Sequence, residues 1–180
     1  MNPPIDTSNL SADIPWEKRE DGFVFVGRIH PCKRIDELIE MLEQVRNNGH
    51  DIHFHVIGPR DEDVPQYYEK IESLSAKHDF VTLEGPIYGE SLNKMLQQHK
   101  YGINGAPGEQ FGMAVAEMVH AGMIPFVPNS GGQREIVGEE SRVMFNLSDE
   151  AVEKISTILS DSNINNIKES FPDIEEEYGK

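Results

Sequence analysis

The chain has 180 residues and a mass of 20.3 kDa, enough to bury one substantial core without disulfides or structural metal. With 16 Lys and Arg against 32 Asp and Glu, its formal charge is -16, so its summed field repels polyanions and argues against nucleic acid and acidic membrane as partners of this segment. Cys32 is the only cysteine, which excludes an internal disulfide and fits a reducing compartment, and MNPPIDTSNL lacks the basic and apolar regions of a secretion signal, so a cytoplasmic location is expected.

Residues 1–20 contain Pro3, Pro4 and Pro15 without sustained periodicity and read as a linker or crossing segment. From residue 23 to about residue 160, short apolar runs alternate with helical patterns: FVFVG then IDELIEMLEQVRNNG, IHFHVIG then PQYYEKIESLSAKH, FVTLEG then GESLNKMLQQH. The second half continues with YGINGA and a helix over 111–121, IPFV and a Gly-Gly turn, then RVMFN and DEAVEKISTILSD. About six strands separated by helices predict βαβ units, an α/β Rossmann-like fold with a doubly wound parallel sheet and helices on both faces. The domain is assigned to residues 21–160, and residues 161–180, ending in DIEEEYGK, read as an acidic solvated tail.

In such a sheet ligands bind beyond the carboxyl ends of the strands, which directs attention to four loops. The first, Gly27-Arg28-Ile29-His30-Pro31-Cys32-Lys33, offers a guanidinium and an ammonium suited to a diphosphate, or a plain pair of surface charges. Gly58-Pro59 forms a tight turn after the second apolar run. In GAPGEQFGMAVAEMVHAG, residues 105–122, Gln110, Phe111 and Gly112 are expected in a first helical turn whose free N–H groups favour an anion. Glu117 falls roughly 80° around that helix from an extrapolated Glu109, so the two acids can line one cleft or simply face solvent. The fourth loop is Asn129-Ser130-Gly131-Gly132-Gln133-Arg134-Glu135.

Taken in this order, residues 21–160 resemble the C-terminal, donor-binding domain of retaining GT-B glycosyltransferases of family 4. Glu109 and Glu117 are similar to that family's E-x7-E signature, with Phe111-Gly112 inside it; Gly27, Arg28 and Lys33 resemble its first-strand block, and Gly131-Gly132 before Glu135-Ile136-Val137 a third block. The resemblance implies that Arg28 and Lys33 hold the donor diphosphate, that Glu117 binds the ribose hydroxyls, and that Glu109 with Gln110, Phe111, Gly112 and Met113 handles the transferred sugar. Gly27, Gly58 and Ile87 would complete the donor site, with Glu109, Arg28 and Lys33 as its catalytic members. Cations and helix N–H groups neutralise the leaving diphosphate, so neither metal nor cofactor is expected.

EQFGMAVAEMVHAGMIPFVPNSGG is further similar to mannosyltransferases that use GDP-mannose, which favours GDP-mannose over a UDP-sugar as donor. The family's N-terminal acceptor domain has no counterpart here, and PPID at 3–6 resembles the segment crossing from it; the isolated chain is therefore expected to be inactive alone. The full-length enzyme would associate peripherally with a membrane. Arg34 stands where the family often has Gly. A non-hydrolysing sugar-nucleotide epimerase and a catalytically silent nucleotide-binding module are the alternatives. His53 and His55 share a strand face at a spacing that permits metal binding, but with no third ligand at a telling interval they are set aside.

Overall fold

A computed structural model describes residues 14–161 and 164–178. Among these residues six strands, β1 (Glu20–Val26), β2 (His53–Ile57), β3 (Val81–Gly85), β4 (His99–Ile103), β5 (Ile124–Pro128) and β6 (Met144–Phe145), form one sheet in the order β3-β2-β1-β4-β5-β6. Every ladder is parallel. The helices are α1 (Ile35–Asn47), α2 (Pro65–Lys77), α3 (Gly89–Gln98), α4 (Met113–His120), α5 (Gln133–Ile136), α6 (Ser148–Ser160), α7 (Asn165–Lys168) and α8 (Ile174–Tyr178). The doubly wound α/β expectation holds, and the chain reverses its direction of travel across the sheet between β1 and β4. That switch point brings the loops after β1 and β4 side by side.

The continuous run FVFV of β1 reflects burial on both faces, as a central parallel strand requires. Phe23 and Phe25 join Phe54, Val56, Tyr101 and Phe126 in the larger core, covered by Leu38, Ile39 and Leu42 of α1 and Ile155 of α6. Val24 and Ile57 face the other way, against Leu96 of α3 and Met118 of α4. Helix α1 buries Ile35, Leu38, Ile39, Leu42 and Val45 as its periodicity predicts. Its start lacks a side-chain cap from Arg34; instead the Tyr67 hydroxyl accepts the Ile35 N–H at 2.8 Å while donating to Asp36 Oδ1 at 2.8 Å.

Three features differ from the sequence reading. The strand expected over RVMFN is only Met144–Phe145, because the Arg142 guanidinium doubles back onto Glu140 at 2.8 Å and holds 140–142 in a turn. Helix α4 begins at Met113, since Gly112 adopts φ 60 and ψ 36, a left-handed conformation that cannot belong to a right-handed helix. The segment read as a solvated tail supplies Ile164, Ile167 and Ile174 to the larger core, so its acidic side chains mask an apolar face. In the linker, Trp16 packs edge-on to Tyr101, ring centroids 5.7 Å apart, and PPID lies outside the described residues.

Candidate active site

Beyond the carboxyl ends of β1 and β4 lies an open cleft of about 300 Å³. Gly27 and Lys33 line one side; Asn104, Glu109, Phe111, Gly112, Met113 and Glu117 line the other. The Lys33 ammonium donates to Glu109 Oε2 at 2.8 Å, their side chains 21% and 28% exposed, so the loops after β1 and β4 meet through one ion pair. The N–H groups of Met113, Ala114 and Val115 precede the first α4 bond, from Ala116 N–H to the Gly112 carbonyl at 2.9 Å, and point out of the helix start where an anion is favoured. Phe111 and Met113, both about two-fifths exposed, add an apolar wall. Because α4 starts at Met113, Glu109 belongs to the preceding loop, and it is the loop that brings the two acids to one cleft.

The Glu109 loop rests on the fourth loop of the sequence reading. Gly132 N–H donates to the Glu109 carbonyl at 2.7 Å, and a Cβ on Gly132 would collide with the Gln110 carbonyl oxygen, so backbone packs directly on backbone there. Behind it, fully buried Gln133 accepts from Asn104 Nδ2 at 2.7 Å and donates to the carbonyls of Ala106 at 3.0 Å and Ser130 at 3.1 Å. Asn104 Oδ1 in turn accepts the Ala106 N–H at 3.2 Å. Buried, mutually satisfied amides of this kind fix the loop that carries the acid.

Four of the expected site residues, Arg28, Gly58, Ile87 and Gln110, are not among those lining this cleft. Arg28 is 62% exposed and donates to Asp61 Oδ2 at 2.8 Å, and the described lining of the cleft does not include it. Gly58 sits beneath Gly27, whose carbonyl oxygen occupies the space a Cβ would need, so its glycine serves packing. Ile87, partly buried, packs against the smaller core. Gln110 is exposed, its carbonyl turned to Gly132. Asp61 and Asn104 belong to no motif that stands out along the chain, and Gln133 stands there only within a loop. A polar residue directly after an apolar strand, as in YGIN, was the available sign for Asn104.

The fold is that of the C-terminal Rossmann-like half of a GT-B glycosyltransferase. The family model described as glycosyl transferases group 1 matches residues 6–171, and the chain belongs to that family. Among curated relatives, a "GDP-Man:Man(3)GlcNAc(2)-PP-Dol alpha-1,2-mannosyltransferase" of Candida glabrata is 27% identical over 144 residues, covering 73% of this chain and 28% of the relative. Its counterpart in Dictyostelium discoideum is 31% identical over 108 residues, covering 57% of this chain and 21% of the relative. The chain thus spans about a quarter of the length of the curated relatives it matches. The C-terminal domain of a glycosyl transferase group 1 family protein, LpcC from Francisella tularensis, superposes with a TM-score of 0.78 at 16% identity, over 97% of this chain and 98% of that one.

Proposed function

We propose that the cleft binds a nucleoside-diphosphate sugar, GDP-mannose in preference to a UDP-sugar, as the donor for retaining mannosyl transfer to a glycan or lipid-linked acceptor. The observation that carries this reading is the Lys33–Glu109 pair at 2.8 Å beside Glu117 and the α4 start. It joins, at one point, a cation and helix N–H groups for phosphate and carboxylates for hydroxyls.

In this reading the diphosphate lies between Lys33 and the N–H groups of Met113 to Val115, which neutralise the charge that grows on it as the glycosidic bond breaks. Glu117 accepts from the ribose hydroxyls and Glu109 from the sugar. Arg28 reaches the diphosphate by leaving Asp61, a move open to a side chain that is 62% exposed. Transfer itself needs the acceptor-binding N-terminal domain, so the 180-residue chain binds donor without transferring sugar.

Calorimetric titration of the chain with GDP, UDP, GDP-mannose and UDP-glucose tests this. Binding of GDP-mannose more tightly than GDP, and of GDP more tightly than UDP, is the expected result. The absence of binding by all four ligands would remove the donor site.

A further inference from the structure

The opposite end of the sheet carries a second constellation. At the amino ends of β1, β2 and β4, Glu20, His53, His55 and His99 each place one metal-ligating atom within 4.8 Å of the others. Seven residues of β1 separate this cluster from the cleft by about 20 Å. His53 and His55 alone gave no reason to expect a site; the fold adds the two partners that the sequence spacing hid.

Parallel pairing builds the cluster. Gly22 is level with His53, and Val24 with His55, across β1 and β2, while Glu20 is level with His99 across β1 and β4, where the register shifts before Phe23. A Cβ on Gly22 would collide with His53 Nε2 and lie 2.6 Å from His99 Cδ2, so the glycine creates the room in which the rings meet. Their centroids are 4.7, 4.9 and 5.2 Å apart.

The hydrogen bonds determine which nitrogens are free. His99 Nδ1 lies 2.6 Å from the Met95 carbonyl, which only accepts, so Nδ1 carries the proton and Nε2 a lone pair. His55 Nδ1 lies 2.6 Å from Glu84 Oε1, and an ionised carboxylate imposes the same tautomer. The side chain of His99 is 3% exposed, yet among the described residues its Nε2 has no hydrogen-bond partner, and neither has His53 Nε2. Both nitrogens are 3.2 Å from Glu20 Oε2. The lone pair of His99 Nε2, facing a carboxylate oxygen at that distance, is repelled unless a cation lies between them. A proton would satisfy one such pair; a metal ion satisfies all four groups together.

We propose that Glu20, His53, His55 and His99 form a four-coordinate site for zinc or a chemically similar divalent transition-metal ion. Three imidazoles and a carboxylate are a borderline-soft set that suits zinc and does not suit magnesium or calcium. Ligands at about 2.1 Å in a tetrahedron stand about 3.4 Å apart, close to the two 3.2 Å separations present. The remaining separations, all within 4.8 Å, close by small turns of the rings and of Glu20, whose side chain is 62% exposed. The Met95 carbonyl and Glu84 carboxylate orient two of the rings, as outer partners of metal-bound histidines do. The ion clamps three adjacent strands at their amino ends, a structural role independent of the donor cleft.

The test is titration of the chelator-stripped 180-residue chain with Zn²⁺ against a chromophoric indicator, with Mg²⁺ in parallel. One Zn²⁺ per chain is expected, with Kd below about 1 μM. At a free Zn²⁺ concentration of about 100 Kd, the melting temperature should rise by about 5–10 °C, with no effect of Mg²⁺. His53→Ala and Glu20→Gln, at positions exposed enough to leave folding intact, should each weaken Zn²⁺ at least about tenfold, whereas His30→Ala should not. A titration without a stoichiometric site, or one that His53→Ala and Glu20→Gln leave unchanged, overturns the proposal.

Discussion

Replacing Glu109 with alanine separates the two tasks proposed for the cleft. Without ligand, Glu109 neutralises Lys33 at 2.8 Å, and a diphosphate must draw Lys33 away from it. Coulomb attraction at that distance is about 6 kcal/mol at an effective dielectric of about 20. Water reaches both side chains, at 21% and 28% exposure, and desolvation and screening reduce the net worth of such a pair to about 1 kcal/mol. Glu109→Ala should therefore leave GDP binding unchanged or tighten it by up to about fivefold. The sugar, in contrast, loses charge-assisted hydrogen bonds worth about 1.5–3 kcal/mol, so the ratio of GDP-mannose to GDP affinity should fall by about 10- to 150-fold. Glu117→Ala, acting at the ribose, should weaken GDP and GDP-mannose by a common factor of about tenfold or more. Calorimetric titration of both ligands into wild type and both variants, at one salt concentration, gives all six affinities. Equal losses of GDP and GDP-mannose in Glu109→Ala would refute the division of labour.

Other consequences follow from particular residues. Gly132→Ala should cost about 1–3 kcal/mol in urea unfolding and weaken donor binding, because its Cβ meets the Gln110 carbonyl group; unchanged stability and affinity would mean the loop yields freely. Arg34→Gly relieves a left-handed residue at φ 52 and ψ 40, about 1–2 kcal/mol, against about 0.4–1 kcal/mol of added freedom in the unfolded chain. The variant should therefore melt about 1–3 °C higher; a lower melting temperature would contradict this balance. The hydrogen-bonded Arg142 guanidinium pulls the Glu140 carboxyl down to about 2. A depressed carboxyl stabilises the fold above its unfolded value and loses that contribution as pH falls through its folded value. Glu140→Gln should thus lower the melting temperature most at pH 5–7, with the gap to wild type closing as pH falls towards 2; a gap independent of pH would exclude this pair as its source.

The alternation of apolar runs with helical periods made the parallel sheet and its helices legible, because a strand buried on both faces must be apolar along its whole length. The acids of GAPGEQFGMAVAEMVHAG were legible for a different reason: they sit close together in the chain, around a turn in which Gly112 takes a left-handed conformation. Less visible was the chemistry that depends on residues meeting from afar. Lys33 and Glu109 are 76 positions apart, Arg28 and Asp61 33, and Asn104 and Gln133 29, and no local pattern couples them. The acidic character of residues 161–180 likewise concealed Ile164, Ile167 and Ile174, which join a core assembled from distant elements, with α8 set against α4.

Family, fold class and the two acids were thus written in local order and spacing. Tertiary structure alone turned Arg28 towards Asp61, assigned Gly58 and Gly132 to backbone packing, and gathered Glu20, His53, His55 and His99 at one end of the sheet. The physical reason is the register of parallel strands: each crossover of a helix length separates neighbours in sequence while setting them level in space, so a ligand set can be complete in the fold and invisible along the chain.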